Sequence, residues 1–158
     1  MFQLGSRSKQ RLVGVHPRLV AVVNLAITLS TQDFTVLEGV RSIQAQRINV
    51  AKGASQTMDS KHLQQPDGHG HAVDLAAWVN GSVAWDPWSR YVAIADAVRR
   101  AAIELDTPIR WGGGWFLLNT LTNARQVELQ STEYTRARRA AGRKAFLDGP
   151  HFELVGVR

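Results

Sequence analysis

The stretch AVDLAAWVNGSVAW, residues 72–85, carries a strong local structural signal. Residues 72–79 alternate in character enough to predict a β-strand. Asn80-Gly81 is a preferred sequence for a two-residue hairpin turn, and residues 82–85 return as a second strand. The sequence therefore predicts an antiparallel β-hairpin over residues 72–85.

Short strands and longer helices are predicted on both sides of this hairpin. β-Branched and aromatic runs predict further strands at residues 34–37, 109–111 and 151–155. Helices are predicted at residues 9–30 (in two pieces, interrupted at 14–17), 42–53, 88–105 and 123–145, and a loop at 55–70. Helices and antiparallel strands are mixed without βαβ regularity, which predicts the α+β class.

The composition limits the kinds of chemistry available. The chain has 158 residues, a length suited to one domain, and no cysteine. Disulfides, thiolate ligands and a cysteine nucleophile are thereby excluded, so a metal site must use His, Asp and Glu. The net charge is +6, which favours polyanionic partners such as the acidic polymers of a cell envelope. No helix-turn-helix or aromatic-basic platform indicates nucleic acid binding.

The apolar stretch of residues 19–29 follows several basic residues and raises the question of a signal peptide. Asn24 interrupts the stretch, no small-residue cleavage site follows it, and it is too short to span a bilayer. We therefore interpret it as a core helix and expect neither an export signal nor membrane insertion.

Four of the five histidines fall into two groups, each with a carboxylate: His62, His69 and His71 with Asp74, and His151 with Asp148. A catalytic zinc ion takes about three protein ligands from His, Asp and Glu and leaves one position open for water. Asp74 lies on a predicted strand and His151 begins one, and strand ends hold ligands more rigidly than loops. The two groups together predict a metal site.

The amino-acid sequences of these segments resemble the motifs of a known family. Ser60-Lys61-His62 followed by Gly70-His71-Ala72-Val73-Asp74 resembles the Ser-x-His…Gly-x-Ala-x-Asp signature of the VanX/VanY-like zinc peptidases. These include phage L-alanyl-D-glutamate endopeptidase endolysins and share a fold with the hedgehog domain. Residues 148–154 (Asp-Gly-Pro-His-Phe-Glu-Leu) resemble the second signature, residues 38–42 the Gly-x-Arg-Ser segment, and residues 111–113 the Trp-Gly-Gly segment.

The resemblance implies a hedgehog/DD-peptidase-like fold, with a small antiparallel sheet flanked by helices. It implies one zinc peptidase domain over residues 1–158, with residues 123–145 as a basic helical insertion. In that insertion Arg136, Arg139 and Arg143 are predicted to share one helix face. This face is either simply solvated or attracts anionic envelope polymer.

Two features depart from the family pattern. Seven residues, 63–69, separate His62 from the motif glycine, where the family usually has two. We interpret the extra five as a loop insertion that keeps His62 as a ligand. The alternative is that His69 or His71 replaces it. Gly114 stands where many relatives place Asp.

The resemblance assigns roles to individual residues. It implies that His62, Asp74 and His151 bind one Zn²⁺ and that Asp148 is the general base. The alternative for Asp148 is a turn-forming residue in an Asp-Gly-Pro loop. Arg41 is expected to stabilise the oxyanion, or else to pair with Glu38.

Ser60, Glu153 and one tryptophan are expected to support the metal or the substrate. Ser60 would orient a ligand or the substrate through its hydroxyl, and Glu153 shares a strand face with His151. The tryptophans are expected mainly in the core, with Trp111 or Trp115 as the candidate for lining the cleft.

The implied function is a zinc-dependent peptidoglycan peptidase, an L-alanyl-D-glutamate endopeptidase acting as a phage endolysin on the stem peptide. Such an enzyme is expected to be a monomer, made in the host cytoplasm and acting on the cell wall after release. The alternatives are a D-Ala-D-Ala carboxypeptidase or dipeptidase, and a non-catalytic zinc-containing module that binds the cell wall.

Overall fold

The computed structural model describes residues 1–157 and contains five α-helices, six short strands and one 3₁₀ turn. The helices are α1 (Ser6–Arg11), α2 (Pro17–Leu29), α3 (Ile43–Ala51), α4 (Ser89–Glu104) and α5 (Ala124–Ala140). The strands are β1 (Phe34–Glu38), β2 (Ala72–Val79), β3 (Ser82–Val83), β4 (Ile109–Trp111), β5 (Phe116–Leu117) and β6 (His151–Leu154). The α+β class predicted from the sequence is confirmed.

The strands form one antiparallel sheet in the order β1-β2-β6-β4-β5, with β3 paired to β2. The hairpin predicted at residues 72–85 is the β2–β3 pair. Strand β6, the last in the chain, lies between β2 and β4. In its register with β2, Asp74 is the direct partner of His151. This central placement brings the end of the chain beside the hairpin.

The two faces of the sheet have different compositions because successive side chains in a strand point to opposite sides. On β2, Val73 and Leu75 belong to the hydrophobic core, and on β6 so do Phe152 and Leu154. The residues between them, such as Asp74, therefore point to the other face. The core occupies one side of the sheet, and the polar side chains of β2 and β6 share the opposite side.

Helix α2 confirms the interpretation of the apolar stretch as a core helix. Pro17 occupies its first turn, where the missing N–H costs nothing. His16 caps the helix by accepting a hydrogen bond from the Arg18 amide at Nδ1 (3.2 Å). Its buried stripe packs against α4 and comprises Leu19, Val22, Val23, Ala26 and Ile27. Over residues 1–157, no helix is both long enough and apolar enough to cross a membrane.

The helix predicted to run to residue 145 ends at Ala140, so that boundary was wrong. Gly142 adopts a left-handed conformation with φ of 68°. Its amide donates to the Arg139 carbonyl (3.0 Å), and the Arg143 amide donates to the Arg138 carbonyl (2.8 Å). This is the hydrogen-bond pattern by which a glycine ends a helix. Arg143 therefore lies beyond α5 and does not share a helix face with Arg136 and Arg139.

Strand β5 and the 3₁₀ turn at Leu118–Thr120 have no counterpart among the predicted elements. Strand β5 has only two residues and exists because it pairs with β4, with Arg110 opposite Leu117. So short a run carries no periodicity of its own. Its formation depends on the strand beside it.

Candidate metal centre and active site

Three side chains from distant parts of the chain converge on the polar face of the sheet. His62 Nε2 lies 3.2 Å from Asp74 Oδ1 and 3.2 Å from His151 Nδ1, and the latter two atoms are 3.4 Å apart. Ligand atoms at about 2.0–2.1 Å from a zinc ion, on the corners of a tetrahedron, lie about 3.3 Å from one another. The three side chains therefore fit the ligand set of one metal ion.

His62 is oriented by a backbone carbonyl. Its Nδ1 lies 2.8 Å from the oxygen of Gly39, so Nδ1–H donates and the lone pair of Nε2 faces the other two side chains. Gly39 cannot carry a side chain, because a Cβ there would collide with the carbonyl oxygen of Arg11. The glycine of the Gly-x-Arg-Ser segment thus allows the close approach that positions His62.

His151 is oriented by a carboxylate. Its Nε2 lies 2.9 Å from Glu153 Oε2, so the ring donates to Glu153 and turns the Nδ1 lone pair toward His62 and Asp74. Arg110 holds the second Glu153 oxygen at 3.2 Å. Burial would raise the pKa of Glu153, but its hydrogen bond with His151 lowers the pKa below the ordinary value. The structure thus places Glu153 in contact with His151, whose strand face it was predicted to share.

The electrostatics of this group favour a positive charge at its centre. Burial opposes protonation of His151, but hydrogen bonds with Asp74 and Glu153 outweigh burial and raise the pKa of His151 to about 9. Burial likewise works against ionisation of Asp74, yet hydrogen bonds from His151 and His62 hold the pKa of Asp74 below its ordinary value. A positive charge between the two imidazoles and Asp74 is therefore favourable, whether a proton on His151 or a metal ion supplies it.

Asp148 lines the same cavity as the three ligand residues. Its amide donates to the Gly112 carbonyl (2.9 Å), and its carbonyl accepts from the His151 amide (3.1 Å). Burial and the charge of Asp74 raise the pKa of Asp148 above its ordinary value. A carboxylate with a raised pKa is a better proton acceptor near neutral pH, as a general base must be.

Gly112 explains why the Trp-Gly-Gly segment lies so close to this carboxylate. A Cβ at Gly112 would lie 3.1 Å from the Cβ atoms of both Asp148 and His151, and would also collide with the Asp148 carbonyl oxygen. The backbone of residue 112 therefore packs directly against the segment that carries Asp148 and His151. Any larger residue would displace both.

Arg41 lines the cavity and is also held by other residues. Its guanidinium forms an ion pair with Glu38 through Nε and one terminal nitrogen, the latter at 2.9 Å. The other terminal nitrogen donates to Gln46 Oε1 (2.6 Å). Three of the five guanidinium N–H groups are thereby engaged. Both alternatives for Arg41 are compatible with this arrangement, because the bonds to Glu38 and Gln46 together leave two donors free.

Ser60 and the tryptophans take different positions. The Ser60 hydroxyl accepts from the His62 amide (3.3 Å) and so fixes the backbone before the ligand. Trp111 is fully buried and donates to the Gly149 carbonyl (2.7 Å), so it does not line the cavity. Trp115 lines it instead, with its ring 5.5 Å from that of His151. Trp115 is therefore the tryptophan that lines the cavity. Trp111 lies in the core and its indole bonds to the backbone of Gly149.

His69 and His71, the alternatives to His62, lie in a separate group around Asp67. His71 Nε2 is 2.7 Å from Asp67 Oδ2, and His69 Nδ1 is 4.0 Å from Asp67 Oδ1. His16 approaches the same carboxylate at 3.7 Å. This group fastens the inserted loop to the start of α2. In residues 1–157, neither histidine is among the side chains gathered around Asp74.

The cavity contains further side chains that were not predicted as site residues. It has a volume of about 540 Å³. Its lining includes three residues of α5 and the segment after it, namely Tyr134, Arg138 and Phe146. Tyr134 and Arg138 lie in the basic segment 123–145 that was interpreted as an insertion, and Phe146 follows it directly. The two aromatic residues among the arginines are the one signal that could have drawn attention to this segment.

Comparisons with known proteins agree with this geometry. A family model described as phage L-alanyl-D-glutamate peptidase matches residues 1–155, which include all the side chains described above. An L-alanyl-D-glutamate peptidase of Escherichia phage T5 is 33% identical over 117 residues, covering 72% of this chain and 82% of the relative. The crystal structure of the Serratia marcescens L-Ala D-Glu endopeptidase ChiX is 40% identical, with a TM-score of 0.70. That match covers 95% of this chain and 87% of the other.

Proposed function

Because this chain belongs to the phage L-alanyl-D-glutamate peptidase family, we propose that it uses one zinc ion to cleave the bond between L-alanine and D-glutamate in the peptidoglycan stem peptide. The chain is a peptidoglycan hydrolase of the L-alanyl-D-glutamate endopeptidase class. The choice of zinc and the roles of individual residues are the proposed part.

The observation that carries the metal proposal is the arrangement of the imidazole nitrogens. Each ring uses its outer N–H on an acceptor, Gly39 for His62 and Glu153 for His151. The two inner nitrogens then face each other at a separation of 3.2 Å, which is favourable only when a proton or a metal ion lies between them. Two imidazoles and a carboxylate with an open fourth position are the ligand set typical of catalytic zinc.

The residues around the two histidines and Asp74 have separate roles in hydrolysis. When bound, zinc would polarise the alanyl carbonyl and lower the pKa of a water molecule. Asp148 takes a proton from the attacking water, whose oxygen bonds to the carbonyl carbon. As the C–N bond breaks, Asp148 returns the proton to the glutamate amine that leaves. The two free donors of Arg41 stabilise the negative charge that develops on the carbonyl oxygen.

Replacement of Asp148 with Asn tests these roles. We expect Asp148→Asn to retain bound zinc and to lower kcat by about 10²- to 10⁴-fold, because the amide cannot accept the proton. Asp106→Asn, at an exposed position outside the cavity, is the matched control and should leave activity intact. The measurements are zinc content per chain and the rate of release of new amino termini from purified peptidoglycan.

The identity of the new termini separates the alternatives. Mass spectrometry should find glutamate at the new amino terminus and alanine at the new carboxyl terminus. Release of D-alanine instead would identify a carboxypeptidase. A zinc-loaded wild type that binds the wall without producing any new terminus would support the non-catalytic binding module and refute the proposed hydrolysis.

A further inference from the structure

Four cationic side chains line the cavity, and two of them form ion pairs with carboxylates. Arg41 pairs with Glu38 and Arg110 pairs with Glu153. Lys61 also lines the cavity and forms no ion pair within residues 1–157, but its ammonium lacks the planar fork of a guanidinium. Arg138 is the fourth, and within residues 1–157 no carboxylate is paired with it.

Arg138 is held in place although its charge has no partner. It is half-buried, and its Nε donates to the carbonyl oxygen of Lys144 at 3.1 Å. This hydrogen bond fixes the base of the guanidinium and makes no use of the two terminal nitrogens. A planar fork with free terminal N–H groups is the arrangement that binds a carboxylate through two parallel hydrogen bonds.

The neighbouring arginines of α5 are disposed differently. Arg136 forms an ion pair with Glu133 through bonds of 2.6 and 2.9 Å and is exposed. Arg136 and Arg139 line a different groove, on another side of α5, together with Trp88. Arg138 is therefore the α5 arginine that faces the candidate active site.

The wall that carries Arg138 is built by contacts between α5 and the segment after it. The Tyr134 hydroxyl lies 3.3 Å from both the carbonyl oxygen and the amide nitrogen of Phe146. The ring of Phe146 stacks on Trp115, with centroids 5.8 Å apart, and the Trp115 indole donates to the Phe146 carbonyl (2.8 Å). The wall is thus a connected unit, and Arg138 is the charged group within it.

The substrate class supplies the anion that Arg138 lacks. In a peptide containing L-alanyl-D-glutamate, the glutamate amine takes part in the scissile bond and one of its two carboxyl groups continues the chain. The other carboxyl is a free carboxylate. The cavity contains four carboxylates, of Asp59, Asp74, Asp148 and Glu153, beside its four cationic side chains. A fixed cation that is not already paired gives the free carboxylate of the substrate a specific partner among these charges.

We propose that Arg138 binds the free carboxylate of the glutamate residue on the leaving side of the scissile bond and is a specificity-determining residue of the enzyme. This inference rests on the proposed function. It predicts that the enzyme distinguishes glutamate from its amide. A charge-assisted pair of this kind corresponds to about a ten- to hundredfold difference in kcat/KM.

The test uses two synthetic stem peptides that differ only in the free carboxyl group of glutamate, which one of them carries as an amide. The zinc-loaded full chain is assayed as wild type, Arg138→Gln, Arg138→Lys and Arg136→Gln. We expect the wild type and Arg136→Gln to prefer the acid peptide by about ten- to a hundredfold. In Arg138→Gln the ratio should fall to about one through loss of the acid rate, and Arg138→Lys should be intermediate because it keeps the charge without the fork.

Zinc content and the thermal unfolding midpoint of each variant show whether it is folded. The proposal is overturned if Arg138→Gln keeps the wild-type ratio, or if it loses both peptides equally. It is also overturned if the wild type cleaves both peptides at one rate, although the proposed function then stands. If the wild type cleaves neither peptide, the proposed function itself fails.

Discussion

His62 and His151 are held by acceptors of different charge. The outer nitrogen of His62 donates to a neutral carbonyl, that of Gly39, and the outer nitrogen of His151 donates to the carboxylate of Glu153. An anionic acceptor makes the imidazole a stronger electron donor and fixes its tautomer more firmly. In the proposed zinc site, Glu153 would therefore make His151 a stronger ligand without binding the ion itself.

Removal of Glu153 should weaken metal binding without removing a ligand. We expect Glu153→Ala to bind zinc about 10- to 100-fold more weakly than the wild type, because His151 loses its orienting acceptor. Competition with a chromogenic chelator measures the affinity. Glu128→Ala, an exposed carboxylate on α5, should bind zinc as the wild type does. Equal affinities in all three proteins would contradict a supporting role for Glu153.

At the scale of elements, the two-residue repeat of a strand decides which side chains enter the core and which face the candidate metal site. On β6, Phe152 and Leu154 enter the core, while His151 and Glu153 face the metal group. Four consecutive residues thus serve packing and chemistry in alternation. A shift of one residue in the pairing of β6 would exchange the two sets. The strand register and the metal group therefore depend on the same hydrogen bonds.

The end of α5 is a second element on which the cavity depends. Gly142 has φ of 68°, and a Cβ there would meet no atom within 4 Å, so the cost of Gly142→Ala is purely conformational. We expect a loss of about 1–2 kcal/mol in the free energy of unfolding. Urea unfolding measures it. Gly5→Ala is the control, since that site is equally open but has φ of −69°. Equal losses in the free energy of unfolding of both variants would refute a specific cost of the left-handed conformation at Gly142.

At the scale of the whole molecule, the three candidate metal ligands come from segments that are far apart in the sequence. His62 precedes the inserted loop, Asp74 lies on β2, and His151 begins β6 near the end of the chain. An ion bound to all three would favour the folded state, because an unfolded chain does not hold them together. The same arrangement that supports catalysis would therefore contribute to stability.

Zinc should raise the thermal stability of the intact chain. At a free zinc concentration of 100 times the Kd, the expected gain is about 2.7 kcal/mol. A chelator should reverse it, and differential scanning calorimetry measures the change in Tm. Asp148→Asn keeps all three ligands and should keep the gain, whereas His151→Ala should lose it. A zinc-dependent rise in the Tm of His151→Ala as large as that of the wild type would contradict the ligand assignment.

Much of the fold was predictable from the sequence because its signals are local. Asn80-Gly81 specifies a tight turn, Pro17 begins a helix, and Ser42 caps the next one through the Ala45 amide. Each of these depends on residues within a few positions along the chain. The motif segments were local as well, so the family resemblance could be found without coordinates. The length of α5 was mistaken because the helical pattern of its charges continues past Gly142.

What only the tertiary structure decided are the relations between distant segments. The sequence contained no information on which tryptophan faces the cavity, and burial assigns Trp111 to the core and Trp115 to the wall. Nor did any pattern in the basic segment single out Arg138. The backbone partner of His62, the Gly39 carbonyl, was equally hidden, whereas Glu153 was expected beside His151. These relations arise when strands that are about 80 residues apart pair side by side, and such pairing depends on the packing of the whole chain.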